Sequence, residues 1–151
     1  MDSCHAWLEA GGQPHHSAFI VQECGVGLIR LKHKTIKKKQ QLAFAAPPLQ
    51  RSGPLDEADV ALIARGLGVD RKDILHHAWC DNGPGWRSVM LSSAAQVLAL
   101  TPDAALLAGL DIGVIGAHPA DHECAFEVRA FFPGNHGLVE DPVTGSLNAA
   151  L

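Results

Sequence analysis

The segment LDEADVALIARGLG, residues 55–68, has the clearest helical periodicity in the chain, and its place among strand-like segments constrains the fold. Val60, Ile63 and Leu67 are spaced so that they fall on one face of a helix. Acidic residues at its start suit the positive end of the helix dipole, and Gly68 follows the last apolar residue as a stop signal. The sequence therefore predicts one amphipathic helix near the middle of the chain.

Strand-like segments rich in Ile, Val and Leu lie on both sides of this helix. Before it, they are residues 17–23, 25–31 and 41–47; after it, they are residues 73–80, 86–92, 111–118 and 123–131. Three short helices are predicted at residues 2–12, after Ser93, and from Thr101-Pro102 onward. Because strands and helices do not alternate cleanly, we predict an α+β fold rather than a doubly wound parallel sheet.

A proline-rich stretch at residues 47–54 separates the first strands from the central helix. Pro47 and Pro48 interrupt any regular element, so we interpret this stretch as a linker.

The bulk composition excludes several classes of protein. The 151 residues carry a net charge of −4, which argues against a nucleic-acid partner, and we interpret the basic run at 30–41 as a solvated hairpin turn. No apolar run reaches the roughly 18 residues of a membrane span. The first residues lack the basic and apolar segments of a secretory signal, so we expect a cytoplasmic protein with no membrane partner.

The four cysteines form no CxxC pair and no zinc-binding spacing. They are Cys4, Cys24, Cys80 and Cys124. Without a secretory signal we expect reduced thiols, each buried in packing rather than catalytic.

The segment EDPVTGSLNAAL, residues 140–151, is the best candidate for a functional site. A helix beginning at Thr144-Gly145-Ser146 would present backbone N–H groups that have no partner within the helix. Gly145 would let a ligand approach the backbone, and the Ser146 hydroxyl would add a donor, so a carboxylate or phosphate could bind there. A carboxylate beside a bound anion has a raised proton affinity, which suits Asp141 or Glu140 to proton transfer.

The same residues are also compatible with ordinary turn chemistry. Thr144 or Asp141 would then only cap the helix with its side chain. Spacing alone favours this capping interpretation over a ligand site.

The histidines and one turn are further candidates. His118, His122, Asp121 and Cys124 have a zinc-like composition, but they lie in an interstrand loop, so we predict polar loop surface and no metal. His136 precedes the terminal segment and is a weaker candidate for ligand contact. The turn DNGPGW, residues 81–86, is most simply a hairpin that could approach the site. The sequence requires no cofactor, because it contains no phosphate loop or dinucleotide fingerprint.

The terminal segment, preceded by FFPGNHG, closely resembles the second-lobe signature of the phenazine-biosynthesis-like (PhzF-like) isomerases, relatives of diaminopimelate epimerase. The stretches CHAWLEAGG, LAFAAPP, VMLSSAAQVLALTPDAALLAGL and ECAFEVRAFFPG agree in the same order, so the resemblance covers nearly the whole chain. It implies two lobes, each a curved sheet or half-barrel around a central helix, with the site in the cleft between them.

The resemblance also implies roles for the terminal residues. Asp141 takes the acidic position that lines the cleft, and Gly145 and Ser146 take the helix-start positions that hold a carboxylate-bearing substrate. Catalysis is therefore expected from Asp141 and Ser146, and substrate contact from Gly145, Ser146, Thr144 and His136. The expected activity is isomerase or epimerase chemistry by proton transfer.

Parts of the family pattern have no counterpart in this sequence. The family's upstream glutamate and its Cys-Gly-His signature are not matched, and the second central helix is cut after about two turns. We therefore expect residues 1–46 to be the remainder of a first lobe, residues 47–151 to be a truncated second lobe, and the isolated chain to be inactive. The alternative is a non-catalytic remnant that binds an anion or self-associates as a homodimer.

Overall fold

The computed structural model describes residues 2–25, 27–36 and 39–151. It divides the chain into two compact units, Met1–Ala46 and Pro47–Leu151. The assignment of these units to two lobes stays a prediction. In the ranges that the structure describes, no helix has the length and apolar character needed to cross a membrane.

The first unit is one helix followed by a three-stranded antiparallel sheet. The elements are α1 (Asp2–Glu9), β1 (Phe19–Cys24), β2 (Gly27–Ile36) and β3 (Lys39–Phe44), in the order β1-β2-β3. Gly11, in the left-handed region at φ 88°, follows α1 as its predicted stop. Cys4 and Leu31 are buried apolar residues of this unit. The basic run extends β2 and β3, while Lys37 and Lys38 at its predicted turn lie outside the described residues.

The second unit contains a six-stranded sheet in the order β4-β5-β6-β7-β8-β9. The strands are β4 (Arg51–Gly53), β5 (His76–Asp81), β6 (Arg87–Leu91), β7 (Ile112–Ala117), β8 (Phe126–Gly134) and β9 (Gly137–Glu140). The helices are α2 (Glu57–Leu67), α3 (Ala94–Leu98) and α4 (Gly145–Asn148), with a 3₁₀ turn at Arg71–Asp73. Only the β6–β7 pair among these strands is parallel, because the chain crosses over through α3. The α+β prediction is confirmed.

Strand β7 separates two apolar layers, because successive side chains point to opposite faces of a sheet. Ile112 and Val114 join the larger core, which also contains the predicted apolar face of α2. On the opposite face, a Cβ atom added to Gly113 would lie 2.6 Å from Leu147 of α4. Glycine there allows α4 to approach the sheet closely.

Four sequence expectations are corrected by the structure. The stretch 47–54 is not wholly a linker, because β4 pairs with β5 through Arg51 and Asp81. Thr101-Pro102 starts turns rather than a helix, and in these turns the Asp103 carboxylate accepts from the Ala105 and Leu106 N–H groups. Cys24 is only partly buried. Cys124 is exposed rather than buried.

Candidate functional site

The terminal segment leaves the sheet at Asp141. Its backbone N–H donates to the Ala130 carbonyl at 2.9 Å, which continues the β8–β9 pairing by one residue. Its Oδ1 atom accepts a hydrogen bond from the Val143 N–H at 2.9 Å, which closes a turn over Pro142. Asp141 is therefore held in place at the end of β9, while its carboxylate remains partly accessible.

Helix α4 begins without a side-chain cap. Thr144 at the N-cap makes no side-chain hydrogen bond to the helix amides; its Oγ1 instead accepts from Asn148 Nδ2 at 2.6 Å. Thr144 also has φ 50°, a left-handed backbone that is uncommon for a β-branched residue. The Asp141 carboxylate is used by Val143 rather than by α4. Neither form of the capping interpretation matches this geometry.

Space is open beside the first residue of α4. A Cβ atom added to Gly145 would meet no atom within 4 Å among the residues described, so packing does not require glycine there. This leaves open space next to the backbone of Gly145, and its contact with a ligand stays a prediction.

Ser146 is fixed by the turn at residues 81–86. Trp86 Nε1 donates to Ser146 Oγ at 2.9 Å, and Asn82 Nδ2 donates to the Ser146 carbonyl at 2.7 Å. The predicted approach of this turn to the terminal segment is therefore observed. The sequence did not single out Asn82 or Trp86, because each is 60 or more residues from Ser146 and no local pattern links them.

Leu147 anchors α4 to the sheet. It is fully buried and packs in a second apolar cluster with Cys80, Trp86 and Ala130. The sheet face beside Gly113 accepts this side chain. Trp7, in contrast, is 44% exposed.

Glu140 is engaged on the opposite face of the sheet from α4. Its two carboxylate oxygens accept from Arg129 Nε and Nη2, each at 2.8 Å, and Arg129 Nη1 donates to the carbonyls of Val97 and Leu100 at the end of α3. The hydrogen bond from Arg129 lowers the pKa of Glu140, and the hydrogen bond to Glu140 raises the pKa of Arg129. Glu140 is thus held ionised, which leaves Asp141 as the proton-transfer candidate of the pair.

This ion pair predicts a specific pH dependence of stability. Because the pKa of Glu140 is lowered in the folded state, its contribution is present above the unfolded value of about 4.3 and is lost as pH falls through the folded pKa. We expect the free energy of unfolding of the wild type to fall more between neutral pH and pH ~3 than that of Glu140→Gln. Urea titrations at several pH values measure this. Glu123→Gln, in an exposed loop, should keep the wild-type slope; equal slopes for all three would contradict the prediction.

His136 is not brought to the other candidates. It is exposed in the two-residue turn between β8 and β9, at the far end of β9 from Asp141. Asp141 lies five positions further along the extended chain, which is about 16 Å at the usual rise of a strand. Its contact with a ligand at Ser146 stays a prediction that this geometry does not support.

The 118–124 loop forms a polar cluster. The rings of His118 and His122 stack with centroids 3.8 Å apart, and His118 Nε2 lies 3.1 Å from Glu127 Oε2. His122 Nδ1 accepts from the Cys124 N–H at 3.1 Å. Within residues 2–25, 27–36 and 39–151, no group of three or more potential ligands is placed to hold a metal ion.

A groove of 510 Å³ lies in the first unit, between α1, the loop that contains His15 and His16, and β1. Its walls are mainly apolar, and His16 stacks on Phe19 with ring centroids 4.4 Å apart. None of the predicted site residues lines this groove.

Two solved structures have the same architecture, which is that of the diaminopimelate epimerase-like fold. A phenazine biosynthesis protein of the PhzF family from Bacillus anthracis matches with a TM-score of 0.73 and 17% identity, over 98% of this chain and 52% of its own. A PhzF-family protein from Enterococcus faecalis matches with a TM-score of 0.65 and 20% identity, over 98% of this chain and 51% of its own. These likenesses show the fold.

The model of the phenazine biosynthesis-like protein family matches residues 1–151, so the chain belongs to that family. A curated relative, antisense-enhancing sequence 1 from Schizosaccharomyces pombe, is 27% identical over 154 residues, 95% of this chain and 51% of its own length. The chain thus spans about half the length of the relatives that it matches.

Proposed function

We propose that this chain provides one wall of the active site of a PhzF-like isomerase or epimerase. The reaction is a proton transfer on a small carboxylate-bearing metabolite. Membership of the phenazine biosynthesis-like family supports an isomerase-type function in general. The observation that carries the finer proposal is the fixed arrangement at α4, where Ser146 is held by two donors beside an open Gly145.

Each residue of the terminal segment has a distinct role in this proposal. Asp141 is the acid that faces the substrate, because Glu140 is already paired with Arg129. The Ser146 hydroxyl and the amides of Gly145 and Ser146 bind the substrate carboxylate, and Thr144 shapes the entry to α4. A positioned acid–base group of this kind contributes about 10²–10⁴-fold to a rate.

Titration with acetate or sulfate, followed by backbone amide NMR, tests the binding role. We expect weak binding with shifts centred on Gly145 and Ser146, and Ser146→Ala should weaken it by about 1 kcal/mol, the usual value of one hydrogen bond. Ser52→Ala, on exposed strand β4, is the matched control. Shifts centred on residues 118–124 would place the anion elsewhere and contradict the assignment.

Gly145→Ala separates binding from folding at the same helix. The added methyl group meets no atom within 4 Å of the described protein, and alanine is favoured over glycine in helices by up to about 1 kcal/mol. We therefore expect unchanged or slightly higher stability in urea, together with weaker anion binding because the methyl group occupies the ligand's space. Unchanged binding would show that the ligand does not approach this backbone.

Exposed apolar side chains support a second candidate, a non-catalytic chain that self-associates. Phe126, Val143 and Trp7 are 50%, 75% and 44% exposed, and self-association would remove apolar surface of such side chains from water. We expect a concentration-dependent oligomer, including a homodimer, in sedimentation velocity, with a melting temperature that rises with protein concentration. A strict monomer whose sharp melt does not depend on concentration would contradict this candidate.

A further inference from the structure

The hydrogen bond between Trp86 and Ser146 limits what the serine hydroxyl can do. An indole N–H is only a donor, whereas a serine hydroxyl has one hydrogen to donate and two lone pairs that accept. Because Ser146 Oγ accepts from Trp86 Nε1, the hydroxyl hydrogen must point away from the indole. No acceptor for that hydrogen is found among the residues that the structure describes.

The indole is itself held in a fixed position. Trp86 is only 3% exposed and packs against Leu147 in the second apolar cluster. It follows a turn in which Asp81 Oδ1 accepts from the amides of Gly83 and Gly85, at 2.8 and 3.0 Å. Gly85 has φ 77°, which favours glycine at this point of the turn. A packed ring and a locked turn thus define the direction from which Ser146 receives its hydrogen bond.

The backbone of Ser146 is fixed from the same turn. Asn82 Nδ2 donates to the Ser146 carbonyl at 2.7 Å, so the amide and the indole hold the residue at two points. A hydroxyl that accepts one hydrogen bond is polarised and becomes a stronger donor in the next. The arrangement therefore favours a strong acceptor, such as a carboxylate oxygen, at the free side of Ser146.

We propose that Trp86 is a positioning residue that turns the Ser146 hydroxyl into a donor for an anionic ligand. This inference rests on the proposed function, since it assumes that the ligand binds at Ser146. The packing of the Trp86 ring explains why the residue is buried, but it does not require the indole N–H to meet Oγ. The polar contact and the apolar contact are therefore separable by substitution.

The experiment compares Trp86→Phe, Ser146→Ala and the double variant by NMR, with sulfate and acetate as the probes. Phenylalanine keeps an aromatic ring in the cluster and removes the donor. We expect Trp86→Phe to weaken sulfate binding about fivefold, the factor that corresponds to one hydrogen bond, and the double variant to bind no more weakly than Ser146→Ala. Trp79→Phe, in the other apolar core, is the matched control and should bind as the wild type does.

A second readout uses proteins in which Trp86 is intact. The indole N–H signal of Trp86 should shift on addition of sulfate to the wild type, while the Trp79 signal should not. In Ser146→Ala the Trp86 signal should move upfield, exchange faster with water and lose its response to sulfate. If Trp86→Phe does not fold, this readout still tests the positioning role of Trp86.

The outcomes distinguish the inference from the proposed function. If wild type binds sulfate at Ser146 but Trp86→Phe binds equally well, or the Trp86 signal ignores both sulfate and Ser146→Ala, the positioning role is wrong and the binding site stands. If wild type binds neither probe at Ser146, the proposed function loses its ligand site, and the role of Trp86 is overturned with it. Additive losses in the double variant would also overturn the inference, because they would show two independent effects.

Discussion

Residues 1–151 on their own should catalyse no exchange of a substrate's carbon-bound proton with D₂O. A longer chain that supplies the remaining length of the relatives should catalyse this exchange. Proton transfer needs a group within hydrogen-bond reach of the proton. By family resemblance, the opposing glutamate belongs to a segment that this sequence does not match. Correct positioning of reacting groups accounts for up to about 7–11 kcal/mol of a barrier, so loss of one wall should abolish measurable turnover.

A panel of small carboxylate-bearing metabolites is incubated with the protein in D₂O. Proton NMR then measures how fast deuterium replaces their carbon-bound protons. In the longer chain, Asp141→Asn should lower the exchange rate by about 10²–10⁴-fold, the usual range for an acid–base group. Asp121→Asn, in the exposed 118–124 loop, is the matched control and should keep the full rate. Robust exchange by residues 1–151 alone would mean that both groups lie within them, and Glu140 and His136 would then be the residues to substitute.

Gly116→Ala should destabilise the second unit by about 3 kcal/mol, near the upper end of the usual cost of overpacking. A Cβ atom at this position would lie 2.4 Å from the carbonyl oxygen of Ser93, which is backbone and cannot rotate away. The strand β7 or the start of α3 must therefore shift. Urea unfolding followed by circular dichroism measures the loss.

Gly145→Ala is the matched control for this prediction, because its added methyl group meets open space. If Gly116→Ala were as stable as Gly145→Ala, α3 would be free to move from the sheet. The Ser93 hydroxyl accepts from the Gln96 N–H, so weakening of this cap would be the expected sign of such movement.

Helices and helix ends that depend only on neighbouring residues were predicted well from local sequence patterns. The spacing of Val60, Ile63 and Leu67 defined α2, and Gly68 ends it in the left-handed conformation at φ 71°. The short helix after Ser93 was also predicted correctly, and the Ser93 side chain caps it by accepting from the Gln96 N–H. These elements need no information about the rest of the fold.

The missed features all depend on distant contacts. Strand β4 has only three residues, and it exists because it pairs with β5 at Asp81, not because of its own pattern. Asn82 and Trp86 belong to the site only because the sheet brings their turn to Ser146. Glu140 was a proton-transfer candidate in the sequence, but in the structure it forms an ion pair. Its partner, Arg129, comes from the neighbouring strand and is therefore also a distant contact.

The environments of the three tryptophans give the protein its own optical reporters. Trp7 is 44% exposed, Trp79 is buried with Arg51 and Arg87 over its ring, and Trp86 is buried and hydrogen-bonded to Ser146. Emission from an exposed indole lies at longer wavelength than emission from a buried one, so Trp7 should separate spectrally from the other two. Occupancy of Ser146 by a ligand should then register as a change in the blue part of the emission, which allows candidate metabolites to be screened without labels or coupled assays.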